Sequence, residues 1–159
     1  MKFIDREREL NALENFWAEP DPQLIVIYGK RRIGKTELIK QFIRDKHSIY
    51  FLAQKVSESE NLKILGELVG EYFDDSILKV NGFSNFQMFF EYLEKHLKGR
   101  MVIVVDEFPY LAEANKGISS IFQAGWDEHL KNTPFFLIFC GSIIALLESE
   151  LFAYKAPFY

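Results

Sequence analysis

The part of this 159-residue sequence that most restricts its fold is a glycine-rich loop set between an apolar run and a helical pattern. The run Leu24–Tyr28 (LIVIY) is continuously apolar, which is typical of a strand covered on both faces in a parallel sheet. The loop Gly29–Thr36 (GKRRIGKT) matches the pattern G-x-x-x-x-G-K-[ST] without departure. A helix is predicted directly after the loop, because apolar residues recur there at helical spacing: Leu38, Ile39, Phe42 and Ile43.

Each part of the loop has a physical role in holding phosphate. Glycines let backbone N–H groups converge on an anion, and the positive end of the following helix points at the same place. Lys35 adds a charge for the β- and γ-phosphates, and the Thr36 hydroxyl is a hard oxygen ligand suited to Mg²⁺. We therefore predict a nucleotide-binding segment made of Gly29, Lys30, Arg31, Arg32, Ile33, Gly34, Lys35, Thr36 and Glu37.

The loop is unusually basic, since Lys30, Arg31 and Arg32 follow one another. These cations either screen phosphate charge from solvent-exposed positions, or one arginine contacts the γ-phosphate or a partner subunit. The sequence leaves both interpretations open.

A second apolar strand, Met101–Val105, ends in the acidic pair Asp106-Glu107. A carboxylate at the carboxyl end of such a strand can hold the Mg²⁺ shell, and the next one can orient and deprotonate an attacking water. The predicted metal residues are therefore Thr36 and Asp106, and the predicted catalytic residues include Lys35 and Glu107.

A further apolar strand, Phe135–Cys140, ends at Gly141-Ser142. Ligands bind at the carboxyl ends of the strands in sheets of this kind, so Ser142 is a candidate catalytic residue that contacts the γ-phosphate or the water. The alternative is that Ser142 caps a short helix from Ile143 onward.

The rest of the chain alternates strands with helices. A helix is predicted from Arg6 to Ala18, a strand at Ser48–Gln54, helices capped by Ser57 and Ser84, and a helix at Ile118–Lys131. The aromatic stripe on the helix after Ser84 is expected in the core. This alternation predicts a helix-covered, mainly parallel α/β sheet.

Composition narrows the function classes. The net charge of −4 gives no general attraction to nucleic acid or to an anionic membrane, so DNA is a possible partner without support from charge, and no membrane partner is expected. Cys140 is the single cysteine and is predicted to be a buried, inert thiol. The start is charged and the apolar runs are shorter than a membrane span, which favours a cytoplasmic location.

Four segments together resemble the archaeal-type ATPase family of the AAA+/STAND P-loop NTPases: FIDREREL, LIVIYGKRRIGKTELI, VIVVDEFPYL and FLIFCGSIIALLE. The resemblance implies ATP and Mg²⁺ as cofactors, with Lys35 and Thr36 on the phosphates and metal and Asp106-Glu107 in hydrolysis. It also implies that Phe3, Ile4 and Arg6 lie near the adenine.

The resemblance further implies a three-layer αβα fold of the ASCE/AAA+ type with strand order 2-3-4-1. A fifth strand and a lid are absent from residues 1–159, which we expect to be a single ATPase core truncated at its C-terminus. The uncovered edge strand favours self-association or contact with an attached C-terminal domain. Two functions follow: an ATPase acting as a molecular switch, or a nucleotide-binding interaction or DNA-associated module with little hydrolysis.

Overall fold

The computed structural model describes residues 7–29 and 34–142. Their helices and strands follow one another in this order: α1 (Glu7–Ala18), β1 (Gln23–Gly29), α2 (Lys35–Ile43), β2 (Ser48–Leu52), α3 (Glu58–Phe73), α4 (Ser76–Asn81), α5 (Phe86–His96), β3 (Met101–Asp106), α6 (Phe108–Ala114), α7 (Ile118–Gly125), a π-helical segment (Trp126–Leu130) and β4 (Phe135–Ser142). Arg6, the predicted start of the first helix, and the predicted helix after Ser142 lie outside this range.

The four strands form one sheet in the order β1-β4-β3-β2, and every pair is parallel. This is the predicted order read from the opposite edge, so the prediction of fold class is confirmed. The carboxyl ends of the strands meet at one edge, where Gly29 pairs with Ser142 and Asp106 pairs with Cys140.

Helices cover both faces of the sheet, which gives three layers. On one face, α1 and α2 pack on the sheet through Leu13, Leu38, Ile39 and Phe42. On the other face lie α3 to α7, with the predicted aromatic stripe of α5 in the core as Phe86, Phe89, Phe90 and Leu93. All six residues of β3 are buried, because this strand is central and covered on both sides.

Three local predictions are wrong. The helix predicted to begin at Ser84 is capped by Asn85, whose Oδ1 accepts a hydrogen bond of 2.8 Å from the N–H of Met88. Both residue types are good caps, so the pattern could not separate two neighbours. The predicted helix Ile118–Lys131 changes to a π-helical turn at Trp126, and β2 ends at Leu52. Two short helices, α4 and α6, were not predicted.

Among the described residues no helix is long and apolar enough to cross a bilayer.

Candidate phosphate and metal site

The strand ends bring the predicted site residues to one edge of the sheet. Gly29 ends β1, Ser142 ends β4 and Asp106 ends β3, and they lie in adjacent strands because the sheet order is β1-β4-β3. Residues Lys30, Arg31, Arg32 and Ile33 of the loop lie outside the described residues. The two ends of the loop are therefore described, and its middle remains a prediction.

Helix α2 begins where the loop ends. Gly34 has a φ of +83°, in the left-handed region that favours glycine, and its carbonyl accepts the first helical hydrogen bond from Leu38 at 2.9 Å. Lys35, Thr36 and Glu37 form the first turn of α2, and the backbone N–H groups at such a helix start are suited to binding an anion. Glu37 is exposed, whereas Lys35 and Thr36 are half-buried.

The Lys35 ammonium lies at the junction of α2 and β4. Its Nζ donates to the carbonyl oxygen of Gly141 over 3.0 Å. Since Gly141 precedes Ser142 at the end of β4, this contact holds the ammonium group at the carboxyl edge of the sheet. That is where the sequence predicts the phosphates.

The Asp106 carboxylate is almost fully buried, with 4% of the residue exposed, and each oxygen has a partner. The Oδ1 atom accepts a hydrogen bond of 2.8 Å from the backbone N–H of Glu107. The Oδ2 atom lies 3.4 Å from Oγ1 of Thr36, which donates to it. The two predicted metal residues are thus brought together by the fold, and both offer the hard oxygen that Mg²⁺ prefers.

Two residues that were not predicted as site residues, Tyr50 and Cys140, also lie beside Asp106. The Tyr50 hydroxyl donates to Asp106 Oδ2, and burial together with this carboxylate raises the pKa of Tyr50 well above its usual value. Cys140 is buried as predicted, and burial, with the nearby Asp106 charge second, raises the pKa of its thiol. One sequence feature could have pointed to Tyr50: it carries a hydroxyl, although its neighbours Ile49 and Phe51 are apolar and the strand ends two residues later.

Glu107 stands at the turn from β3 into α6. Its φ of +56° and ψ of +39° place a non-glycine residue in the left-handed region, which costs about 1–2 kcal/mol. It is the N-cap of α6, with no side-chain capping bond, and its carbonyl accepts from the N–H of Tyr110 at 3.0 Å. The left-handed backbone at Glu107, the second of the two carboxylates, turns the chain from β3 into α6.

Some predicted residues are only partly described. Ser142 extends β4 beyond the predicted end of that strand, so its backbone is in the sheet at the site edge, while its side chain lies outside the description. Phe3, Ile4 and Arg6, predicted near the adenine, also lie outside the described residues. Their roles remain predictions.

A parallel β1-β4-β3-β2 sheet, with a glycine-rich loop after β1 and two carboxylates at the end of β3, defines the class of P-loop nucleoside triphosphatases. Within this class, the chain belongs to the family described as an ATPase domain predominantly from Archaea, whose model matches residues 3–158. The resemblance seen in the sequence is thereby confirmed.

Two relatives come from Methanocaldococcus jannaschii. An uncharacterized protein of Methanocaldococcus jannaschii is 36% identical over 157 residues, which cover 99% of this chain and 33% of that protein. An uncharacterized ATP-binding protein of the same organism is 50% identical over 44 residues, covering 28% of this chain and 75% of that protein. The chain therefore spans about a third of the first relative's length.

The structural likenesses show the fold. The Walker-type ATPase of Pyrococcus abyssi superposes with a TM-score of 0.70 at 22% identity, covering 97% of this chain and 52% of that one. The ORC1 protein of Aeropyrum pernix, solved in complex with DNA, superposes with a TM-score of 0.66 at 19% identity, covering 91% of this chain and 40% of that one.

Proposed function

We propose that this domain binds ATP with Mg²⁺ and hydrolyses it. The observation that carries the proposal is the meeting of the Thr36 hydroxyl and the Asp106 carboxylate, 3.4 Å apart, beside the Lys35 ammonium at the carboxyl edge of a P-loop sheet. Membership of an ATPase-domain family supports the same conclusion. The relative named as ATP-binding supports adenine over other bases.

The phosphates would lie against the first turn of α2. The backbone N–H groups of this turn and of Gly29–Ile33 would face the phosphate oxygens, and Lys35 would balance the β- and γ-phosphate charge. Glu37 would contribute its backbone only, since its side chain is exposed.

Thr36 and Asp106 are the residues that would hold Mg²⁺. Their side chains offer one hydroxyl and one carboxylate, and neither imposes a full protein cage, which suits an ion that keeps several waters and phosphate oxygens. When bound, the ion neutralises charge on the transferring phosphoryl group.

Glu107 would orient the attacking water and accept its proton. Its side chain follows Asp106 directly, and the left-handed backbone at this residue positions it at the start of α6. Ser142, at the end of the adjacent strand, would contact the γ-phosphate or the water. A strained backbone at a predicted catalytic position supports this role, because strained residues cluster at active sites.

We further propose that hydrolysis acts as a switch on other parts of a longer protein or on a second copy. The alternative is a nucleotide-dependent interaction module with little hydrolysis, which could contact DNA as the solved ORC1 protein does. The chain covers 33% of the first relative and 52% of the Pyrococcus abyssi ATPase, and this partial coverage motivates both versions. A cytoplasmic location also stays a prediction.

The direct test is the Glu107→Gln variant, with Glu113→Gln as its control. Both changes remove a carboxylate charge near α6, but Glu113 is exposed at the far end of that helix. We expect Glu107→Gln to bind ATP normally and to release phosphate at least about 100-fold more slowly, within the range for loss of a general base. The control should match the unaltered chain.

Two other results separate the alternatives. Tight ATP binding without measurable phosphate release by the unaltered chain would favour the interaction module. Equal release rates for Glu107→Gln and the unaltered chain would show that Glu107 is not the catalytic base.

A further inference from the structure

The Asp106 carboxylate is held from three directions. The backbone N–H of Glu107 donates to Oδ1 at 2.8 Å, and the hydroxyls of Thr36 and Tyr50 both donate to Oδ2. Thr36 belongs to the predicted metal site, and Glu107 directly follows Asp106 in the chain. Tyr50 is different, because it reaches Asp106 from another strand and has no role in the function proposed above.

The position of Tyr50 follows from the register of the sheet. Tyr50 pairs with Val104, two residues before Asp106 in β3, so Val104 and Asp106 point to the same face. The tyrosine side chain spans the distance along β3, and its ring packs against the core cluster formed with α1 and α2. Because the ring is fixed by this packing, the hydroxyl is held in place at Asp106.

We propose that Tyr50 is a positioning residue for the metal site: its hydroxyl fixes the Asp106 carboxylate in the orientation that presents Oδ2 to Thr36, and this sets the affinity for Mg²⁺ with the nucleotide. This inference rests on the proposed function. Outer partners that orient a metal-binding carboxylate typically change metal affinity by 10- to 100-fold when they are removed. The hydroxyl of Tyr50 is such a partner, and it does not need to touch the ion.

The test is the Tyr50→Phe variant, which removes one oxygen and keeps the ring in its place. ATP affinity is measured by titration at a series of Mg²⁺ concentrations and again with the metal chelated. We expect the Mg²⁺ concentration that gives half of the metal's effect on ATP affinity to rise by about tenfold. ATP affinity without metal should stay within about twofold of that of the unaltered chain, since the phosphate loop is unchanged.

The chain offers a matched control in Tyr92→Phe. Tyr92 also donates its hydroxyl to an aspartate, with 2.8 Å between its oxygen and Asp75 Oδ2, but that pair joins α5 to the start of α4. Removing it should leave the Mg²⁺ dependence of ATP binding unchanged. A change in both variants would mean that general stability, and not the Asp106 contact, governs the result.

The outcomes are distinguishable. An unchanged or lowered Mg²⁺ requirement in Tyr50→Phe overturns the inference, as does an equal loss of ATP affinity with and without metal. If the unaltered chain shows no effect of Mg²⁺ on ATP binding, the proposed function itself fails. Should Tyr50→Phe not fold, Tyr50→Met also lacks the hydroxyl, and the same rise in Mg²⁺ requirement is expected.

Discussion

Thr36 and Asp106 stand 70 positions apart in the chain, yet Thr36 Oγ1 lies 3.4 Å from Asp106 Oδ2. The contact joins the first turn of α2 to the end of β3, although β1 and β3 are separated by β4 in the sheet. The two side chains meet because α2 begins and β3 ends at the same edge of the sheet. A hydroxyl and a carboxylate from distant segments thus share one small volume at the sheet edge.

The backbone strain at Glu107 predicts a trade between stability and activity. Glycine adopts the left-handed region freely, so Glu107→Gly should relieve about 1–2 kcal/mol of strain and lose about 0.5–1 kcal/mol through glycine's greater unfolded-state freedom. We expect the free energy of unfolding to rise, by up to about 1.5 kcal/mol, while phosphate release is lost. Urea denaturation and a phosphate-release assay measure the two effects.

Two controls separate strain from side-chain loss. Glu107→Ala removes the carboxylate and keeps the strain, so it should lose activity without the gain in stability. Asp74→Gly relieves the same kind of strain (φ +54°) at the end of α3 and should leave phosphate release unchanged. Equal stabilities for Glu107→Gly and Glu107→Ala would contradict the argument.

A buried amide fixes the connection between β2 and α3. Asn61 is fully buried, its Oδ1 accepts from the N–H of Gln54 at 2.9 Å, and its Nδ2 donates to the carbonyl of Gln54 at 3.0 Å. Asn61→Ala leaves the backbone N–H and C=O of Gln54 without these two hydrogen bonds, so the free energy of unfolding should fall by about 1–3 kcal/mol. The exposed Asn81, at the end of α4, is the control, and Asn81→Ala should be nearly neutral. Similar losses for the two variants in urea denaturation would refute the assignment.

The cap of α4 predicts a pH dependence. Asp75 accepts from the N–H of Leu78 at 3.1 Å, and this bond, together with the Tyr92 hydroxyl, holds the pKa of Asp75 below its usual value of 3.8. A lowered pKa means that the folded state favours the carboxylate. Ionised Asp75 therefore stabilises the fold above about pH 4, and this stabilisation is lost as the pH falls through the folded-state pKa.

The Asp75→Asn variant keeps an oxygen acceptor for the cap but does not titrate. The stability advantage of the unaltered chain over Asp75→Asn should therefore be constant near neutral pH and shrink below about pH 4. Urea denaturation at pH 7, 5 and 3 measures it. An advantage that grows on acidification would have the wrong sign for this mechanism.

The sequence predicted the elements whose patterns are long and specific. The strands around Leu24–Tyr28 and Met101–Val105 were predictable because continuous apolar runs bounded by a glycine-rich loop or a carboxylate pair have few other interpretations. The alternation of strands and helices does not determine the order of the strands in the sheet, and that order was predicted from the family resemblance. The helix α4 was not predicted, because it has six residues and buries only Leu78, which leaves no periodic pattern to detect.

The meeting of Lys35, Thr36 and Asp106 at one edge of the sheet was predictable, because motifs name these residue types at fixed positions relative to the strands. Tyr50 was not predictable, because its role depends on the register Tyr50–Val104 between two strands, and a sequence does not state register. The change of helix type at Trp126 was missed for a related reason: over five residues, apolar spacing does not distinguish α from π hydrogen bonding.

The most direct test of the central claim, that this edge of the sheet binds the phosphates of ATP, is the ATP affinity of Lys35→Ala measured beside that of Lys40→Ala. Both lysines lie on α2, but Lys35 Nζ bonds to Gly141 at the strand ends, whereas Lys40 is exposed near the last turn of the helix. Loss of a charge-assisted contact of about 1.5–3 kcal/mol should weaken ATP binding by about 10- to 100-fold in Lys35→Ala. Lys40→Ala should bind as the unaltered chain does. Unchanged ATP affinity in Lys35→Ala would contradict the account.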